Sequence, residues 1–343
     1  MTLHDWPRAY GTPPVRAAMR QIPADFFVEE QLGFEPDGNG EHCWLWVEKE
    51  NLNTADAAQR LARFAGIRES DISYSGLKDK RAVARQWFSL HVLNRVIDWT
   101  QWNDSALRIL RVERHSRKLR RGTHRGNRFE IILRDMQGDT AQLHTRIDLI
   151  VKRGAPNYFG EQRFGRDGRT LQLAQQAASQ QRRLSRQQAS LYFSAARSYL
   201  FNEVLAQRIA DANWQMPLAG EVFMLNRSNS VFQQATDAEL LARFDCGDIH
   251  LSGPLAGCES ALLATAAVFE LERSVLARHE QLVDYLIASK VESARRSLRL
   301  LPDDFKAAEI DTGVWRFSFA LSKGCFATSL MRELVDYYLP TTE

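Results

Sequence analysis

Apolar and polar residues alternate along HCWLWVEKE at residues 42–50. This is the period of a half-buried strand, with Cys43, Leu45 and Val47 on one face. The period then lengthens to that of a helix. Thr54 reads as its N-cap, Ala58, Leu61, Ala62 and Ala65 share one stripe, and Gly66 is the stop. Strands are predicted at residues 72–75, 86–92 (QWFSLHV) and 128–134 (RFEIILR), and a helix at 140–152. After residue 154 the segment PNYFGEQRFGRDGR reads as an ordered glycine- and arginine-rich loop. Helical periodicity then dominates, chiefly at 190–210 and at 259–287, the latter able to form two helices. Alternation returns at 314–321 (VWRFSFAL), and a closing helix is predicted over 327–338. Mixed strand and helix segments thus flank a more helical middle. That pattern suggests an insertion, with the last strand returning to the first sheet. Asp303 and Asp304 follow Pro302 and read as a turn or cap.

The 343 residues carry an ordinary globular composition, 44% apolar and 25% charged, which excludes a disordered or collagenous chain. Such a length suggests about two domains and a core that needs no disulfide or metal staple. No run is long and apolar enough for a membrane span, and the N-terminal segment has no apolar signal region. Cys43, Cys246, Cys258 and Cys325 form no CxxC and no zinc-finger spacing. They are expected as buried thiols in a reducing, cytoplasmic setting. GRDG lacks the GKS or GKT of a phosphate-binding loop.

Charge changes the picture more than composition does. The formal net charge is only +3, yet the stretch from Arg108 to Arg134 holds ten basic residues against Glu113 and Glu130. The stretch from Arg163 to Arg197 holds seven against Asp167. The two carry +8 and +6, so the remainder of the chain carries −11. HSRKLRRGTHRGN has no apolar period and reads as a basic loop between strands. Tyr158, Phe159 and Phe164 are interleaved with the second stretch. Arginine matches phosphate as a planar fork and aromatic rings stack on unpaired bases, so both stretches point to nucleic acid, and they could line one cleft. The bland alternative is a solvated charged loop.

GLKDKRAVARQW holds a single carboxylate, Asp79, among Lys78, Lys80, Arg81 and Arg85. Cationic neighbours favour the ionised form, which suits a nucleophile or base rather than a general acid. No second carboxylate or histidine lies near enough in sequence to suggest a metal site. Composition alone allows a surface turn with Asp79 paired to lysine.

Five segments together resemble the TruD family of tRNA pseudouridine synthases over nearly the whole chain. They are RQIPADFFVEEQLGFEPDGNGEH from Arg20, GLKDKRAVARQW, GNRF at residues 126–129, PNYFGEQRFG at 156–165 and LSKGCFATSLMRE at 321–333. The resemblance implies an α+β fold: a pseudouridine-synthase core with a mixed, largely antiparallel sheet, interrupted by an inserted α/β (TRUD) domain. It implies core segments at residues 1–152 and 301–343 and an insertion at 153–300. It also implies isomerisation of uridine to pseudouridine, typically at position 13 of tRNA, without cofactor or metal. By the same resemblance Asp79 is the catalytic aspartate. Asn127, Phe129, Arg20, Phe26, Glu29, Lys78 and Phe326 are then substrate-binding, with Phe129 where other pseudouridine synthases place a tyrosine. Cys325 stands where a serine is common in the family. Arg117, Lys118, Arg120, Arg121 and Arg163 are expected to hold the RNA backbone. The expected partner is tRNA, met by a cytoplasmic monomer without membrane contact. Apart from the resemblance, a non-catalytic RNA-binding protein or chaperone would account for the basic stretches, and a metal-dependent nuclease could use Asp79 as a ligand.

Overall fold

The computed structural model describes residues 6–92, 95–258 and 263–340. In chain order the strands are β1 (Val15–Met19), β2 (Phe26–Gln31), β3 (His42–Glu50), β4 (Ile72–Tyr74), β5 (Val83–His91), β6 (Leu107–His115), β7 (Gly126–Gly138), β8 (Ala155–Pro156), β9 (Phe223–Leu225), β10 (Val231–Phe232), β11 (Ile249–Leu255), β12 (Ala294–Ser297), β13 (Arg299–Leu300), β14 (Asp303–Asp311), β15 (Val314–Ser322) and β16 (Val335–Tyr338). The helices are α1 (Thr54–Ala65), α2 (Thr140–Arg153), α3 (Arg169–Ser179), α4 (Arg186–Ala210), α5 (Ala238–Asp245), α6 (Ala266–Ala277), α7 (Glu280–Ala288) and α8 (Ala327–Leu334).

The described residues cluster into two compact units. One takes residues 15–139, 302–324 and 337–340, the other 6–14, 140–301 and 325–336. The sequence reading gives residues 6–14, 140–152 and 325–336 to the core, but they group with the central segment. Hydrogen bonds explain this. Arg146 of α2 donates to the carbonyls of Glu333 and Gly11, and the Ala9 amide donates to the Glu333 carboxylate at 3.0 Å.

In the first unit the sheet runs β14-β15-β7-β2-β5-β3-β6, with β1 also on β7 and β4 also on β5. The sheet is therefore mixed: β2 and β5 pair parallel, and the other pairings along this path are antiparallel. The C-terminal strand does return to the sheet, since Val314–Ser322 pairs with β7 over the register Trp315 to Leu133 through Ser322 to Gly126. α1 lies on one face. Ala57, Leu61 and Ala65 pack on Leu45, Val47, Phe88 and Leu90, all buried. Full burial of each large apolar side chain contributes about 1.5–3 kcal/mol, so this contact fixes the helix on that face.

The second unit has its own core. Tyr158, Phe159, Phe201, Leu205 and Leu251 are buried together between α3, α4 and β11. A four-stranded sheet β10-β9-β11-β12 and a two-stranded pairing of β8 with β13 complete it.

Local differences from the sequence reading have physical reasons. Asn53, not Thr54, is the N-cap of α1, because the Thr54 hydroxyl is engaged with Gln86 Oε1 at 3.0 Å. Gly66 does end the helix in the left-handed region, at φ 62°. Asp303 and Asp304 begin strand β14 rather than a turn, with Asp304 at φ 50° where the pairing register shifts. The closing helix stops at Leu334, and Val335–Tyr338 is extended, as β-branched and aromatic residues favour. The long segment after β11 forms two helices, α6 and α7, and its first residues, 259–262, lie outside the described residues. Of the cysteines only Cys43 is buried, Cys246 is exposed, and Cys258 and Cys325 are half-buried. No helix among the described residues is long and apolar enough to cross a membrane.

Gly126 opens β7 where a Cβ would stand 2.4 Å from the Leu321 carbonyl oxygen of β15. Gly126→Ala must separate the two strands beside Asn127. A loss of about 1–3 kcal/mol in denaturant unfolding is expected, and an unchanged midpoint would show that the two strands part there without cost.

Candidate active site

Asp79 sits in the turn between β4 and β5, and that turn is tied down along its length. Ser75 shares its hydroxyl with His124, receiving the His124 amide at 2.9 Å and facing ring Nδ1 at 2.6 Å. Burial first, against the opposing pull of Glu30 and with help from Lys78 and Lys323, pushes the His124 imidazole down from its ordinary value. The Gly122 amide donates to the Ser75 carbonyl at 2.8 Å, and Gln86 Nε2 donates to the Gly76 carbonyl at 3.2 Å. The Lys78 amide donates to Thr54 Oγ1 at 3.0 Å. Finally Lys49 Nζ donates to the carbonyls of Leu52 and Asp79, at 2.7 Å each.

The Asp79 carboxylate meets a guanidinium. Arg20 Nη2 stands 2.6 Å from Asp79 Oδ2, and the Arg20 guanidinium lies 3.9 Å over the Phe26 ring. The ring fixes the plane of the fork and the fork fixes the carboxylate. The Asp79 side chain is 23% exposed, enough to be touched. Lys78, its neighbour, is only 5% exposed and holds the fully buried Glu30 at 2.8 Å. Lys78 therefore anchors the turn from beneath.

Strand alternation sorts the remaining residues. Phe26, Val28 and Glu30 of β2 share one face. Phe129 lies opposite Val28, and Asn127 opposite Glu30. Phe129 packs edge-on against Phe26, with centroids 6.1 Å apart, and against Phe319 at 5.6 Å. It is 7% exposed, so it can offer a base little more than an edge. Two polar atoms on this face, Arg20 Nε and Asn127 Oδ1, are buried without a hydrogen-bond partner among the described residues. Unsatisfied polar atoms on this face are the capacity a polar ligand requires.

Of the expected residues, the structure places Asp79, Arg20, Phe26, Lys78, Asn127 and Phe129 on this face. Glu29 points to the opposite one. There it accepts from Arg85 at 3.2 Å, and Arg85 also bonds Glu48 and covers Phe27. Phe326 belongs to the second unit, where it caps α8 and packs on Phe159 with centroids 6.0 Å apart. Arg163 is in that unit too, exposed and bonded to Ser194 Oγ at 2.8 Å. Arg117, Lys118, Arg120 and Arg121 are all exposed in the loop between β6 and β7.

Lys49 and Glu30 were not predicted, though the sequence held a signal for each. Lys49 continues the Cys43, Leu45, Val47 face of β3, so alternation buries it. Glu30 follows Phe26 and Val28 by the same rule. A buried charge on an apolar face needs a partner.

The chain matches a family model described as tRNA pseudouridine synthase D (TruD) at residues 7–180 and 169–334. It is 42% identical over 336 residues to the tRNA pseudouridine synthase D of Methylococcus capsulatus, covering 97% of this chain and 95% of that protein. The protein of the same name from Stutzerimonas stutzeri is 43% identical over 332 residues, with 96% of each chain covered. A crystal structure of the Methanosarcina mazei TruD protein superposes with a TM-score of 0.68 at 19% identity, covering 96% of this chain and 95% of that one.

Burial pushes Lys49 down from its ordinary 10.5 to about 8, against the opposing pull of the Asp79 carboxylate. Between those values the folded protein has released a proton that the unfolded chain still binds. Lys49 therefore makes stability rise with pH from about 8 to 10.5. Subtracting the stability profile of Lys49→Met from that of the native protein should leave that rising limb. Parallel profiles would show that Lys49 does not titrate there.

Proposed function

Because the chain belongs to the tRNA pseudouridine synthase D family, we propose that it isomerises uridine to pseudouridine in tRNA at the Asp79 site. The observation that carries the reading is the Arg20–Asp79 pair, an accessible carboxylate clamped in the turn where the family motif GLKDKR lies.

The reaction needs one group able to break a glycosidic bond without water. A uracil stacked in folded RNA must first leave the stack, at a cost of a few kcal/mol. Asn127 Oδ1 and Arg20 Nε are the unpaired groups that can meet its polar edge, and Phe26 and Phe129 form the apolar wall beside them. In one route the Asp79 carboxylate attacks ribose carbon 1′, and the glycosidic electron pair leaves with the uracil. In the other it removes the carbon 2′ proton, and the same bond breaks by elimination. The uracil rotates and its carbon 5 bonds to carbon 1′: in the first route this displaces the Asp79 carboxylate, and in the second the proton held by Asp79 returns to carbon 2′ as the double bond is consumed. The carbon 5 proton is then lost and nitrogen 1 gains one. No redox partner is required, since bonds are exchanged within one molecule.

Arg20 suits both routes. It orients the carboxylate before reaction, and Phe26 holds the guanidinium in place as the carboxylate reacts. Within tRNA, position 13 is the proposed target, on the family resemblance. The exposed cations of the β6–β7 loop are proposed to meet its phosphates. Glu29 is given no contact with the base in this scheme, because it lies on the far face and is held by Arg85. Phe326 and Arg163 are proposed as RNA-facing residues of the second unit.

Asp79→Asn keeps the shape of the side chain and the Lys49 contact to the backbone, while removing the charge. Pseudouridine formation, read as tritium release from 5-tritiated uridine in tRNA, should fall below detection while tRNA affinity stays within a few fold. Full turnover by the mutant would remove Asp79 from the reaction.

A further inference from the structure

Next to the catalytic turn, a cavity of about 400 Å³ opens between α1, β4 and the β6–β7 loop. We propose that it is a second nucleotide site, which takes an unpaired base of the RNA flanking the target uridine. The inference rests on the reading of tRNA as substrate.

The lining is divided by chemistry. Ile72 and Tyr74 give an apolar and aromatic floor, Ala55 stands at the mouth, and Lys118, Arg120 and Arg121 give a cationic rim. Glu69 is the lining carboxylate, and it already accepts from Gln59 Nε2 at 2.7 Å. Ser73 Oγ, in the lining, is buried without a hydrogen-bond partner among the described residues. An aromatic and apolar floor suits a base, a cationic rim suits its phosphate, and an unpaired hydroxyl suits a base edge. The volume falls in the roughly 300–1,000 Å³ range of small-ligand sites.

Position supports the same occupant. Tyr74 is five residues before Asp79, so the two lie at most roughly 18 Å apart along an extended chain. The rim loop is bonded to the turn that carries Asp79, through the Gly122 amide to Ser75 and through Ser75 to His124. A strand that places its uridine at Asp79 can therefore reach the mouth of the cavity within a few nucleotides. Extrusion of the target disrupts stacking of its neighbours, and a site for one of them offsets part of that cost.

Ala55 is exposed on the first turn of α1, so Ala55→Trp fills the cavity mouth without entering the core. Its tRNA affinity should fall about tenfold, within the range that loss of a base stack produces, with the salt slope unchanged because no charge is altered. Replacing Arg120 and Arg121 together by glutamine should instead flatten that slope. Abasic nucleotides placed one at a time around the target should then reveal one position that weakens native binding about tenfold and Ala55→Trp binding not at all. If Ala55→Trp melts early, Ala55→Glu suits the first helical turn and should block the site by repelling phosphate. Native-like affinity of these variants, with no coupled abasic position, would overturn the proposal. Absence of pseudouridine formation by the native enzyme would instead overturn the activity assignment, and the binding scan would still test the cavity.

Discussion

The site depends on a guanidinium placed between a ring and a carboxylate. Arg20 adopts a left-handed backbone, φ 62°, which a non-glycine residue reaches at a cost of about 1–3 kcal/mol. The compensation is local: a 2.6 Å charge-assisted contact to Asp79 and the face of Phe26 at 3.9 Å. A hydrogen bond to a charged group is worth about 1.5–3 kcal/mol, so the pair can offset the strain. The strain then becomes positional. With the backbone turned this way the side chain reaches over β2 to the turn between β4 and β5. From the other side, Lys49 holds the main chain of the same residue. The aspartate is thus fixed at both its backbone and its carboxylate while its side chain stays accessible.

The parallel pairing of β2 with β5 explains why distant motifs meet. It sets Val28 beside Ala84 and so brings the Arg20–Glu30 segment alongside the strand that follows Asp79. β7 pairs on the other side of β2 and delivers Asn127 and Phe129 to the same face. Three segments separated by about a hundred residues of chain become neighbours through two strand pairings. Glycine at 126 permits the next strand, β15, to approach closely.

Much of this was legible in the residues. The alternation of residues 42–50 matches β3 to the residue, and the apolar stripe from Ala58 to Ala65 with Gly66 behind it matches α1. The basic loop lies between β6 and β7, where the absence of an apolar period placed it. What was lost was lost for a reason. Thr54 has the chemistry of a cap, but a tertiary partner, Gln86, took its hydroxyl. Leu334 ends the last helix earlier than its pattern suggests, because Val335 is followed by residues that favour an extended chain. The resemblance put Glu29 with the substrate-binding residues, whereas the period-2 rule assigns its face to Arg85 and assigns the site's face to Glu30. That rule was available for Phe26 and Phe27, which do split between buried and half-buried, and extending it by two residues would have placed both glutamates. Alternation buries Lys49, but its partner, the Asp79 carbonyl, needed the tertiary fold, which composition does not supply.

A chain of net +3 with a body of −11 concentrates its positive charge where RNA is proposed to lie, and the β6–β7 loop joins that charge to the turn that carries Asp79. Asp79 is proposed as the group through which this chain makes pseudouridine in tRNA. The most direct measurement maps pseudouridine by base-resolution chemistry in tRNA from cells that lack the protein, carry it, or carry Asp79→Asn. A uridine, proposed at position 13, should be converted only in cells with the native protein. An identical pseudouridine map in all three would contradict it.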